Sequence, residues 1–368
     1  MLLTSRLSKS LERELAKETN PIARACLKAQ QAILLVRHGH LPEARAVLTE
    51  LHSLAFQYPN PGLGAWLYLS EGLMSYYTDF SSGALDKVLR AHAISRSAGM
   101  AAMQALSAAW LAHIYFAQHQ VQPMAQYLAE ALSMAAPDHH AARSRASLVA
   151  AQSYHFADCM SQATPWYARA RSHAQAEGDD ATLSHLIHNM AALRTAQARR
   201  TSVSGQSGAI DAGLLLGADS IQHYDDAVGG SALEGLFPIL RAQVLVVQGE
   251  FQAAQAMFET HLPQAMSMGL ARLGSSLLSD LAWCRVNNGQ AEHALCQAQQ
   301  AEVELDPDCE IDDRALTHAR LAQVYAMLGD SAAAQRHADD AKAAWSEFAQ
   351  EQQLWAQTLD EALAGLDS

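Results

Sequence analysis

The sequence predicts an all-α chain: a right-handed α–α superhelix of about eight helix–turn–helix repeats with capping helices. Three observations predict it. Gly249, Gly289 and Gly329 stand forty residues apart, and a fixed period in this range marks a repeat solenoid. Two columns of small residues keep the same beat, Ala242, Ala282 and Ala322 ahead of the glycines and Ala254, Ala294 and Ala334 behind them. Half the residues are hydrophobic (50%), prolines number only 10, and no alternating valine and isoleucine runs suggest strands.

The frame extends into the N-terminal half. There the first column reads Ala32, Gly72, Ala112, Gln152 and Ala192, and the second Ala44, Ala84, Met124, Thr164 and Ser204. Gly39 joins the first glycine series, and Gly99, Gly178 and Gly269 form a second, about half a period away. Glycine is favoured just past a helix end, where the backbone turns left-handed. Small residues where two helices cross let their backbones approach closely. Each unit therefore reads as two helices joined by tight turns.

Taken in order, residues 1–21 hold an N-terminal helix over 5–18, and residues 22–200 hold repeats one to five. Asn20-Pro21 starts the array, Asn as N-cap and Pro at the first helical position. First helices are expected near 22–38, 62–78, 101–118, 140–157, 180–198, 231–248, 271–288 and 311–328. The beat slips over 201–230, an irregular stretch that opens Thr201-Ser202-Val203-Ser204-Gly205-Gln206-Ser207-Gly208. Its composition suits a surface loop, with a lid as the alternative, and residues 201–209 are the expected first protease site. Repeats six to eight occupy 231–350. A capping helix over 351–368 is expected to shield the last repeat, since Trp345, Phe348, Trp355, Leu359, Leu363 and Leu366 fall at helical spacing.

The twelve-residue separation of the small columns resembles the tetratricopeptide (TPR) repeat, in which a small residue on the first helix faces an alanine on the second. Leu281-Ala282 and Leu321-Ala322 resemble that family's Leu-Gly pair, and Tyr325 and Tyr115 its aromatic position. Ala301-Glu302-Val303-Glu304-Leu305-Asp306-Pro307 resembles its closing segment. The forty-residue unit exceeds the usual length of about 34. Longer units are similar to those in the sensor regions of MalT-like and Rap-like bacterial regulators. HEAT repeats share the longer period but not the twelve-residue spacing. The resemblance spans roughly residues 22–350 and implies a binding function: a protein- or peptide-binding adaptor, or a ligand-sensing module of a bacterial regulatory system acting through a separate partner.

The net charge of −13 repels a phosphate backbone, so nucleic acid is not an expected partner. No apolar run reaches membrane-spanning length, and the start, Met1-Leu2-Leu3-Thr4-Ser5-Arg6, carries no apolar signal core. The five cysteines (Cys26, Cys159, Cys284, Cys296, Cys309) form no CxxC pair and read as reduced thiols of a cytoplasmic protein. No phosphate loop, HExxH or GxSxG is present, so no enzyme activity, cofactor or metal is expected. His185/His188, His38/His40 and His139/His140 are paired without further ligands at metal-site spacing, and read as ordinary histidines. Asp306, Asp308, Glu310, Asp312 and Asp313 imitate a calcium loop but place Ile311 where glycine is needed; they read as a solvated helix N-terminus. Arg143, Arg145, Arg169, Arg171, Arg194, Arg199 and Arg200 concentrate basic charge, read as a solvated face or an anion-recognising patch.

The TPR resemblance implies that first helices line a concave groove. The groove positions carried over by phase are Trp66, Tyr76, Tyr77, Trp110, His113 and Phe116 in the first three repeats; Ser153, Phe156 and Asn189 in the next two; and Gln243, Asp280, Trp283, Asn287 and Arg320 in the last three. Aromatic residues at helical spacing also fit a core, but the adjacent Tyr76 and Tyr77 cannot easily face the same one. An aromatic groove suits an apolar peptide or a partner helix. The carboxylate clamp of some TPR domains needs lysines on these helices, and only Lys28 lies on one.

Overall fold

In the computed structural model the array begins at Asn20, whose side chain accepts hydrogen bonds from the backbone N–H groups of Ile22 and Ala23, with Pro21 opening the helix. The structure describes residues 5–79, 82–204, 213, 237–267, 270–306 and 309–366. Among these it shows sixteen α-helices, one 3-10 turn and no strand, an all-α array of helix pairs. First helices begin within one residue of their expected positions in repeats one to five and eight. Residues 205–209 and 231–236 lie outside the described residues; Thr201–Val203 continue a helix. No helix among the described residues is long and apolar enough to cross a membrane.

Two units divide the chain. The first holds α1 (Arg6–Lys17), α2 (Pro21–Arg37), α3 (Leu41–Gln57), α4 (Pro61–Asp79), α5 (Ser82–Ser97), α6 (Ala101–Ala117), α7 (Val121–Met134), α8 (His140–Phe156) and α9 (Met160–Glu177). It also takes the first turns of α10 (Asp180–Val203) and the last turns of α16 (Ser331–Leu363). The second unit holds the remainder of α10 and α16. Between them come α11 (Phe237–Gln248), α12 (Phe251–Ser267), α13 (Gly274–Asn287), α14 (Ala291–Val303) and α15 (Ile311–Leu328).

The glycine beat is a turn requirement. Gly249, Gly289 and Gly329 have φ of 80°, 76° and 84°, a left-handed conformation that glycine adopts without strain. In repeats three and four the same turn is made by His119 (φ 54°) and Asp158 (φ 59°), residue types that tolerate this region better than most. Asp158 stands one residue early in the forty-residue frame, and the small pair shifts with it. Ala151 and Ala163 are fully buried, whereas Thr164, expected at the crossing, is exposed. Elsewhere Ala32 and Ala44, Ala112 and Met124, Ala242 and Ala254, and Ala282 and Ala294 all have 0% exposure. The last repeat departs again: Ala322 is half-buried, and Leu321 takes the fully buried place.

Gly72 shows why the column must be small. A Cβ there would lie 2.6 Å from Val88 Cγ2 and 3.1 Å from the Ala84 carbonyl oxygen, on the facing helix. Gly72→Val is expected to overpack this crossing and destabilise by about 1–3 kcal/mol in urea unfolding. Gly64→Ala, which meets nothing within 4 Å, should be neutral or stabilising. Equal midpoints for Gly72→Val and the parent chain would show that α4 and α5 do not cross there.

The C-terminal segment is one long helix. No glycine or proline interrupts residues 331–363, and α16 runs unbroken for 33 residues. Near its end Trp355, 1% exposed, packs within the first unit against Phe156 (ring centroids 4.8 Å apart) and Phe116 (5.7 Å). Tyr154 Oη donates to Asp360 and Gln122 to Thr358 alongside. At the other end of the chain, the Leu7 N–H donates to the Gly178 carbonyl at 3.1 Å and Leu11 is buried. With α1 and α16 laid against them, inner helices lose their open face. Every residue of α8 from Ser144 to Phe156 is buried, the pattern of a helix covered all round.

Candidate functional site

Side chains from α2, α4, α6 and α8 meet at Trp110. The indole is 3% exposed, with the Arg145 guanidinium carbon 3.9 Å from its ring centroid and that of Arg37 5.9 Å away. Arg37 closes α2 and pairs with Asp179 through two bonds, Nη1 to Oδ2 at 2.8 Å and Nη2 to Oδ1 at 3.1 Å. Asp179 precedes α10 and also caps it, accepting from the Thr182 N–H at 3.0 Å. The Thr182 hydroxyl donates to Asp179 and accepts from Arg37. Burial opposes ionisation of Asp179, but the Arg37 charge and these hydrogen bonds prevail and hold its pKa at about 2.

Tyr76, Tyr77 and His113 extend this cluster. Tyr76 Oη lies 3.1 Å from His113 Nε2; the Tyr77 ring meets those of Tyr76 (5.4 Å), Trp110 (6.4 Å) and His185 (5.7 Å). Burial, then the charge of Arg145, drives the His113 pKa well below its ordinary value, so the ring is neutral. A cavity opens beside the cluster, lined by both apolar and polar side chains. Leu7 and Leu11 of α1, Ile33 and Leu34 of α2, Trp66 and Leu106 form its apolar wall. Gln30, Arg37, Arg145, Glu177, Asp179 and Thr182 supply its polar groups.

The expected groove positions therefore separate into three groups. Trp66, Tyr76, Tyr77, Trp110 and His113 gather at or beside this cavity. Phe116 and Phe156 lie under Trp355, and Ser153 is fully buried with its hydroxyl toward Met124 Sδ. The third group belongs to the second unit. Asn189 and Gln243 are half-buried; Trp283 sits under Arg320, and Asn287 donates to the Trp283 carbonyl. Asp280 is 1% exposed and bridges two arginines, Arg199 Nε at 3.0 Å and Arg320 Nε at 2.9 Å. Arg199 also donates to Ser276 and Arg320 to Gln323.

Two of the seven clustered arginines are thus interior rather than solvated, Arg145 at 3% and Arg199 at 5% exposure. Arg143 caps α7 through the Ala135 and Ala136 carbonyls, and Arg169 covers Trp166. Arg37 and Asp179 were not legible as partners; they lie 142 residues apart. Sequence spacing also missed His318, His337 and Asp340, whose ligating atoms lie within 4.8 Å of one another. His337 Nε2 meets Glu302 at 2.6 Å, and its Nδ1 faces His318 Nδ1 at 2.9 Å, so one of the two facing nitrogens donates and the other accepts. Glu310, Asp312 and Asp313 stand at the α15 N-terminus, where the helix dipole favours negative charge.

No family model matches this chain, and no curated protein sequence matches it significantly.

Proposed function

We propose that this protein is a ligand-binding module whose first unit takes a small molecule into the cavity beside Trp110, its output passing to a separate partner. The cavity itself carries the reading: it combines an extended apolar wall with a few fixed polar groups, the make-up of a small-ligand site. With α1 and the end of α16 laid along the inner helices, a compact ligand suits the remaining space better than an extended peptide. The polar groups suit binding rather than turnover, since Asp179 is committed to Arg37 and Thr182 and His113 to Tyr76. A neutral environment-sensitive dye, N-phenyl-1-naphthylamine, is expected to gain fluorescence on binding the full chain. Gln30→Trp, which fills the cavity from its polar side, should abolish that gain while leaving the helical circular dichroism unchanged. Equal dye binding by both proteins would sink the proposal.

A second reading, an adaptor for a protein or peptide, is favoured by Phe56 and Tyr58 at the end of α3. They are 90% and 58% exposed, two large apolar side chains within three residues, on the outside of the first unit.

A further inference from the structure

We infer that the cavity selects a monocarboxylate with an apolar body, and that Arg145 is the residue that recognises it. The inference rests on the reading of the cavity as a ligand site and names the ligand's chemical class.

Arg145 is 3% exposed, yet among the described residues it has no hydrogen-bond or carboxylate partner, and its Nη1 is buried without one. A buried, unpaired guanidinium is costly and is retained only where something satisfies it. The guanidinium carbon lies 3.9 Å from the Trp110 ring centroid, and the N–H groups of a guanidinium form a planar fork matched to a carboxylate. The other charged groups of the cavity do not supply that match. Asp179 is held by Arg37 and Thr182. Among the described residues Glu177 makes no ion pair, and its pKa is raised, by burial first and then by Asp179. The two carboxyls also oppose a multiply charged anion such as a phosphate dianion, so a single negative charge fits best. Leu7, Leu11, Ile33, Leu34 and Trp66 give the rest of the ligand an apolar surface.

The test is calorimetric titration of the full chain with phenylacetate and octanoate, with their primary amides, and with phenyl phosphate at a pH where it is a dianion. The acids are expected to bind about ten- to a hundredfold tighter than the amides, the range of a charge-assisted hydrogen-bond pair. Arg145→Gln should erase that preference, and Arg145→Lys, which keeps the charge and loses the fork, should retain only part of it. If Arg145→Gln fails to fold, an undiminished acid preference in Arg145→Lys overturns the assignment of the fork. Equal binding of acid and amide by the parent chain overturns the inference, as does a preference that survives in Arg145→Gln. Tighter binding of phenyl phosphate than of phenylacetate overturns the monocarboxylate. Failure of the acids while the neutral dye binds would leave the cavity a ligand site and remove only this inference; failure of dye and acids together would remove both.

Discussion

Asp280→Ala is expected to destabilise the second unit by about 3–5 kcal/mol, the cost of leaving a buried charge uncompensated. Asp280 carries one negative charge between two arginines, with its carboxylate 2% exposed. Removing it leaves Arg199 and Arg320 beside each other, with Ser276, Ser202, Gln323 and the Trp283 ring as their remaining partners among the described residues. The effect comes from the desolvated charges left behind and not from an unusual strength of the bridge. A triple variant separates these explanations. Arg199→Met, Asp280→Leu and Arg320→Met together should recover most of the loss, because apolar replacement of a whole buried ion cluster is often neutral or stabilising. Urea unfolding followed by circular dichroism measures both. A triple variant as unstable as Asp280→Ala would mean that the cluster stabilises the unit directly.

The repeat frame was legible because it is imposed by local chemistry. Gly249, Gly289 and Gly329 recur because each turn needs a positive φ, and Ala282 and Ala294 recur because backbones cross there. Where other residues meet the same local demand the frame blurs. His119 and Asp158 make the turn without glycine, and the one-residue shift at Asp158 put Gln152 and Thr164 in place of Ala151 and Ala163. The aromatic positions were found by the same phase, but their environment was not. Phe116 and Phe156 are covered by Trp355, more than 190 residues further along the chain, and nothing local to α6 or α8 announces that helix. The site charges follow the same rule. Asp179 has a visible reason to precede α10, as its N-cap, whereas its bond to Arg37 depends on how α2 and α10 pack. The burial of Arg145, with no carboxylate beside it among the described residues, is likewise a property of packing, and in the sequence it was one of seven similar arginines.

Asp179→Asn is expected to destabilise the first unit by about 3–5 kcal/mol at neutral pH, because Arg37 is 7% exposed and the pair is its countercharge. The asparagine keeps the shape and can still cap α10, so a cap lost to substitution does not account for the change. The pH dependence identifies the carboxylate. An aspartate in the unfolded chain titrates near 3.9, while Asp179 is held at about 2 in the fold. The unfolded state therefore binds the proton first as pH falls. The contribution is nearly complete above about pH 4, declines between pH 4 and pH 2, and amounts to about 2–3 kcal/mol for a shift of this size. Buried histidines act in a different window. His38 and His188 are pushed down to about 4, chiefly by burial, so both proteins should lose stability as pH falls from about 6.5 toward 4. Only the part below pH 4 should be reduced in Asp179→Asn. Urea midpoints measured from pH 7 to pH 2.5 give the two curves; parallel curves across the whole range would show that Asp179 titrates normally and that its bond to Arg37 adds no stability.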